Sequence, residues 1–234
     1  MLKIITSGAF AAALEKILPL FSKKNNISYE LTYGSSFGDA KDSIPSRIKN
    51  NEHFDIYFLA EGAINRHHED GILDIKTKYN IVSSDVGMAV KEGSKSYDIS
   101  SLSSFKEALQ KANSIGYAAS ASGIYLENIV FPKIFSDPDF IFKKSKKILS
   151  ERVGSVILRG DIEVGFQQYS ELLPIKGIKI IGMLPNEIRK SFIFGSAMSN
   201  RSTSKYQTTY KELLNFINLR ENLKIIENTG VKLL

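Results

Sequence analysis

Tyr33-Gly34-Ser35-Ser36-Phe37-Gly38 is the point where a strand-like run, Ser28 to Tyr33, breaks into small residues and paired hydroxyls. The first apolar run, Lys3-Ile4-Ile5-Thr6, ends the same way, in Ser7-Gly8-Ala9. A third, Gly116-Tyr117-Ala118, passes into Ser120-Ala121-Ser122-Gly123. Each places serines where a helix is expected to begin, and the first N–H groups of a helix have no partner inside it. Free donors and the positive end of the helix dipole together suit an oxyanion. Serine is also a good helix cap in its own right, worth roughly 0.5–2 kcal/mol over alanine. Both readings stand for any single turn. The recurrence of the pattern favours one shared anion site.

The chain has 234 residues, of which 43% are hydrophobic and 24% charged. This is ordinary globular composition, long enough for one large domain or two lobes. No run of about 18 apolar residues predicts a membrane span. Met1-Leu2-Lys3 leads straight into strand-like sequence, so the chain reads as cytosolic or as one whose leader has been removed. With no cysteine there is neither a disulfide nor a thiolate metal site. A net charge of +6 raises the question of nucleic acid. The lysines are scattered, however, and the densest group, Lys143, Lys144, Lys146 and Lys147, reads as a solvated face. No basic motif with interleaved aromatics accompanies them, so nucleic acid is not the expected partner.

Between the first two strands, Phe10, Leu14, Ile17, Leu18 and Phe21 fall on one face of a helix. Strand, helix and strand of this length predict a βαβ unit with parallel strands. A short helix is expected from Ser36 to Lys41, and a second over Pro45 to Asn50 with proline in its first turn. Phe54 to Ala60 is nearly all apolar, as in a strand covered on both faces, and ends at Glu61-Gly62. Glu61 is either a site residue or a surface carboxylate. His67-His68 reads as a polar helix end before Gly71, because neighbouring helical side chains diverge and no further ligand group supports a metal.

A new strand is expected over Val86–Val90, then a helix carrying Phe105, Ala108, Leu109 and Ala112. Another helix opens at Ser122-Gly123 and is broken from Pro132 onward. A helix over Val153–Leu158 and strands over Ile162–Phe166 and Gly177–Met183 follow. Phe192–Met198 returns, and a last helix carries Tyr206, Tyr210, Leu213, Leu214 and Ile217. This is an α/β chain, and ligands of such sheets sit beyond the carboxyl ends of their strands.

The order Thr6-Ser7-Gly8-Ala9, Tyr33-Gly34-Ser35-Ser36, Asp55-Ile56-Tyr57, Val86-Gly87-Met88-Ala89-Val90 and Gly160-Asp161-Ile162-Glu163-Val164-Gly165-Phe166 resembles the molybdate-binding-protein-like group of type II periplasmic solute-binding proteins. The resemblance implies a two-lobed α/β fold, each lobe a mostly parallel sheet flanked by helices, with lobe I from residues 1–84 and 198–234 and lobe II from 85–197. It implies hinge strands near Ser84–Val90 and Phe192–Met198, with an anion held between the lobes by hinge closure. It also implies a monomer in the periplasm that serves the membrane subunits of an ABC importer, with no cofactor.

Carried over by residue, the implied ligand contacts are Ser7, Gly8 and Ala9 in the first turn and Ser35 or Ser36 in the second. In the second lobe they are Ser120, Ser122 and Gly123, the backbone at Val153, and Gln167 or Gln168. Where molybdate binders typically carry a tyrosine, this chain has Gln168, whose amide both donates and accepts and so suits a carboxylic ligand better. Ile44-Pro45-Ser46-Arg47 and Phe166-Gln167-Gln168 with Ser170-Glu171-Leu172-Leu173-Pro174 resemble a subgroup that includes proteins similar to aconitate isomerase. Two functions therefore stand side by side: capture of a small anion, an oxyanion or small organic acid, and proton transfer on a small tricarboxylate. For the second, Glu61, His67 and Glu163 are the candidate bases. A cytosolic ligand sensor is a third class, and no DNA-reading helix supports it.

Overall fold

In the computed structural model, which describes residues 1–234, the chain opens with β1 (Leu2–Thr6), α1 (Gly8–Asn25), β2 (Tyr29–Tyr33), α2 (Ile44–Lys49), β3 (Ile56–Ala60) and α3 (Glu61–Glu69). A long strand β4 (Leu73–Lys91) is followed by α4 (Leu102–Lys111), β5 (Ile115–Ala118) and α5 (Ala121–Tyr125). A π-helical turn (Leu126–Val130) leads into α6 (Phe131–Ile134), α7 (Asp139–Lys143) and β6 (Ser145–Ile148). Then come α8 (Val153–Arg159), β7 (Val164–Gln168), α9 (Tyr169–Leu172), β8 (Ile178–Met183) and β9 (Ser191–Ser199). The chain closes with α10 (Thr203–Ile217), α11 (Arg220–Glu227) and β10 (Lys232–Leu233). Two units result, Met1–Ser84 with Phe192–Leu234, and Asp85–Ser191.

In the first unit the strands run in the order β2-β1-β3-β9 and then the first part of β4, with β10 paired to β4 at Ser83 and Val82. The βαβ expectation holds: β1 is parallel to β2 and to β3, while β9 is antiparallel to β3. Helix α1 buries Phe10, Leu14, Ile17, Leu18 and Phe21, and Phe10 stacks on Phe58 at 5.5 Å between ring centroids. Each such side chain contributes roughly 1.5–3 kcal/mol of burial. Together these outweigh the roughly 3 kcal/mol that an interior proline such as Pro19 costs a helix. Pro19 lies on the exposed side, where the carbonyl it leaves unpaired can be hydrated.

In the second unit the later part of β4 is antiparallel to both β7 and β8, and β5 lies parallel to β7 and β6. Both sheets are thus mixed. The core beneath α8 and α9 gathers Ala89, Ala118, Ile148, Val153, Val156, Ile157, Ile162 and Leu172.

Some expectations need correction. Residues 36–41 form no helix. The Ser35 hydroxyl donates to the Phe37 carbonyl at 2.7 Å, the Ser43 hydroxyl donates to the Gly38 carbonyl at 3.0 Å, and Gly38 adopts φ +94°. Such side-chain bonds to nearby backbone compete with helix formation. The strand expected from Val86 begins earlier, since β4 is continuous from Leu73. Pro132 does not end its helix: it falls in the first turn of α6, just after the π turn. Part of the lysine cluster forms edge strand β6, where exposed Lys146 and Lys147 charge the sheet edge against further pairing.

Candidate ligand-binding site

In the first unit, Ser7 precedes α1 in extended backbone (φ −78°, ψ 159°), yet its side chain does not cap the helix. Its N–H donates to the Phe58 carbonyl at 2.9 Å, while its Oγ is buried without any hydrogen-bond partner. Gly8 and Ala9 form the first turn above it, which carries no acidic residue. Ser36, also buried, accepts the Ala60 N–H at 3.0 Å, which leaves its own hydroxyl proton free to donate. Ser35 spends its hydroxyl on the Phe37 carbonyl. Of that pair Ser36 is the available donor. Gly34 makes this loop possible, because a Cβ there would lie 2.5 Å from the Asp42 carbonyl oxygen. Ser7 and Ser36 thus meet the carboxyl end of β3 two residues apart, at Phe58 and Ala60.

Glu61 follows directly at the head of α3. Its Oε1 accepts Lys78 Nζ and Asn80 Nδ2, both at 2.8 Å. These bonds hold its carboxyl below the usual range, Lys78 having the larger effect. Glu61 is a fixed, ionised group and poorly suited as a base. Beside it, Asn80 Oδ1 is buried with no partner. His67 is buried in α3 with Nδ1 3.6 Å from Asp70 Oδ2, and burial, outweighing the Asp70 charge, lowers its pKa.

In the second unit Ser120 precedes α5 without capping it, and its Oγ lies 3.2 Å from Ser122 Oγ. Ser122 is fully buried. Gly123 must be glycine, since a Cβ there would lie 1.8 Å from the Ala118 carbonyl oxygen. β7 is the parallel neighbour of β5, and its carboxyl end carries the glutamines. The Val153 N–H at the head of α8 donates to Gln167 Oε1 at 2.9 Å. That backbone group is therefore not free for a ligand, contrary to expectation. Gly165 permits this approach of α8, because a Cβ there would lie 2.5 Å from Val153 Cγ1.

Gln167 is fixed by this bond, and its Nε2 donates to Glu171 Oε1 at 2.9 Å. Gln168 differs. It is 2% exposed, and neither its amide nitrogen nor its amide oxygen has a partner. A buried polar atom left unpaired costs roughly 1–3 kcal/mol, a cost that a ligand supplying both a donor and an acceptor would remove.

Glu171 was not among the candidates read from sequence. Burial pushes its carboxyl up to about 7, with the Arg152 charge and the Gln167 amide pulling the other way. The available signal was a carboxylate three residues beyond Gln168, just past a strand end. Glu163, by contrast, accepts the Tyr97 hydroxyl and both the backbone and side-chain N–H of Asn113, a structural tie.

The match to known proteins covers nearly the whole chain. The family model described as bacterial extracellular solute-binding protein matches residues 2–232. An aconitate isomerase from Pseudomonas sp is 32% identical over 231 residues, 99% of this chain and 87% of that protein. Among solved structures, the periplasmic molybdate-binding protein of Azotobacter vinelandii superposes with a TM-score of 0.73 at 14% identity, covering 99% and 98% of the two chains. A sulfate-binding protein from Mycobacterium tuberculosis does so with a TM-score of 0.73 at 13% identity, covering 98% and 85%. At such identities these structures speak for the type II periplasmic binding protein fold. With its mixed sheets, unpaired serine and glutamine groups and full-length model match, the chain belongs to the bacterial extracellular solute-binding protein family.

Proposed function

We propose that this protein captures a small organic acid anion outside the cytoplasm and delivers it to the membrane subunits of an ABC importer. The observation that carries this reading is Gln168, buried with both amide atoms unpaired. A tetrahedral oxyanion offers acceptors only and would leave the amide carbonyl unanswered. An organic acid with a hydroxyl or a protonated carboxyl answers both ends. Within the first unit, the Ser7 hydroxyl, the first turn of α1 and the Ser36 hydroxyl are donors suited to an ionised carboxylate. The likeness to a protein named for its action on aconitate supports the same chemical class.

A thermal-shift screen of molybdate, sulfate, citrate, and cis- and trans-aconitate tests this. A ligand at about 100 times its dissociation constant adds roughly 2.7 kcal/mol of stability. Acids that raise the melting temperature while molybdate and sulfate leave it unchanged support the reading, and the reverse ranking defeats it.

A second reading is isomerisation of a small tricarboxylate, and Glu171 is the observation in its favour. A carboxyl near neutrality, hydrogen-bonded to the Gln167 amide one residue before Gln168, suits a base that removes and returns a carbon-bound proton. Interconversion of cis- and trans-aconitate by wild type, lost in Glu171→Gln, is the result this reading expects.

A further inference from the structure

The second unit holds a cavity of about 320 Å³ whose lining includes none of the candidate site residues. Its volume is at the small end of ligand pockets, which run from roughly 300 to 1,000 Å³. Ile181, Gly182 and Met183 of β8 line it in succession. Neighbouring side chains of a strand point to opposite faces, so a run of consecutive residues means that the edge of β8 forms this wall. β8 pairs with β4 alone, which leaves its other edge without a strand partner. The loop from Tyr97 to Ser100 and the segment carrying Asn186 and Arg189 complete the lining.

Hydrogen bonds fix both of these segments. The Tyr97 hydroxyl donates to Glu163. Asp98 Oδ1 accepts the Ser100 N–H at 2.9 Å, just before Ser101 caps α4. Across the cavity, the Ile188 carbonyl accepts the Tyr125 hydroxyl at 3.1 Å, which holds the short turn Asn186–Ile188. Arg189 Nε donates to the Leu184 carbonyl at 2.9 Å. A preformed cavity of this kind loses little conformational freedom when it is filled.

The charges name the occupant. Asp98 and Arg189 face the same small space, yet neither belongs to an ion pair, with each other or with any other residue. The bond from the Ser100 N–H holds the Asp98 carboxyl below its usual range, so it stays ionised. A lone anion here would meet the like charge of Asp98, and a lone cation that of Arg189. A zwitterion answers both. Ile99, Met183 and Pro185 supply apolar surface between the two charges. We infer that this cavity is a second binding site, for an α-amino acid with an apolar side chain. The carboxylate sits on Arg189 and Asn186, the ammonium on Asp98 and Ser100, and the side chain against Ile99 and Met183.

Calorimetric titration with L-leucine, and with isocaproate and isoamylamine as its analogues without the ammonium or the carboxylate, tests this. Wild type should bind leucine at least tenfold more tightly than either analogue, as loss of a charged hydrogen-bonding group implies. No leucine binding, or an analogue bound equally well, overturns the inference. Asp98→Asn keeps an oxygen for the Ser100 N–H and removes the charge. It should weaken leucine at least tenfold without weakening isocaproate, whereas Arg189→Gln should weaken both. Leucine bound equally by wild type and both variants overturns the site. Amide NMR spectra of wild type give an answer that needs no variant to fold. Leucine should shift the Ser100 and Gly182 resonances. Shifts confined to Ser7, Ser36 and Gln168 would place leucine in the site already described, and the inference would fall.

Discussion

Ser7 and Ser35 lie at the ends of neighbouring parallel strands with similar surroundings in sequence, yet they should respond differently to loss of the hydroxyl. Ser7 Oγ makes no internal bond, so Ser7→Ala should leave the melting temperature nearly unchanged. Affinity for the acid should fall roughly 5- to 100-fold, as expected for an unpaired ligand charge. Ser35→Ala removes the bond to the Phe37 carbonyl and should cost about 0.5–1.5 kcal/mol of stability. Denaturant melts and calorimetry on both variants check the contrast. Sequence named both serines but could not tell them apart, because the choice lies in which carbonyl is nearby.

Glu171 gives a pH prediction of definite sign. Its folded pKa is raised to about 7 from the 4.5 of a free carboxyl, so between those values the folded state holds a proton that the unfolded state has released. Stability contributed by this group is present in full below about 4.5 and declines as pH rises towards 7. Glu171→Gln should therefore melt higher than wild type at about pH 8 and close to it near pH 4.5. The same melting temperature difference at both values would contradict the assignment. The chain offered Glu61, His67 and Glu163 as bases because each lies near a strand end. Ion pairing and structural hydrogen bonds occupy Glu61 and Glu163, and His67 is buried in α3. Desolvation, which raises Glu171, depends on tertiary packing and leaves no mark in local sequence.

The elements were legible where a period was strong. α1 buries the apolar positions its spacing selected, and β1, β2 and β3 pair as a βαβ arrangement requires. Legibility failed where hydroxyl-to-backbone bonds replaced a helix at residues 36–41; the lysines at 143, 146 and 147 are exposed as read, but the short edge strand that carries two of them was not foreseen. Glycines at strand–helix junctions set the backbone geometry around the candidate site residues, and Gly123 is the strictest case. A Cβ there meets backbone rather than a movable side chain. Gly123→Ala should cost about 1–3 kcal/mol and weaken ligand binding through Ser120 and Ser122. Gly160→Ala in the turn after α8 puts its strain at φ +82° in open space, so it should lower stability while leaving affinity intact. Urea melts with matched titrations separate the two, and equal affinity in both variants would remove α5 from the site.

For the protein as a whole, family membership and fold leave ligand chemistry open, since one fold hosts many functions. What distinguishes this chain is the unpaired amide of Gln168 in the position where its resemblance to molybdate binders implies a tyrosine. Gln168→Tyr should move preference towards molybdate, because a phenol offers a donor without a carbonyl that needs one. The most direct measurement is calorimetric titration of wild type and Gln168→Tyr with cis-aconitate, citrate and molybdate. Wild type should bind the acids and give no heat with molybdate, and the substitution should reverse that order. Tight molybdate binding by wild type with the acids silent, or an unchanged ranking in the variant, would contradict the account.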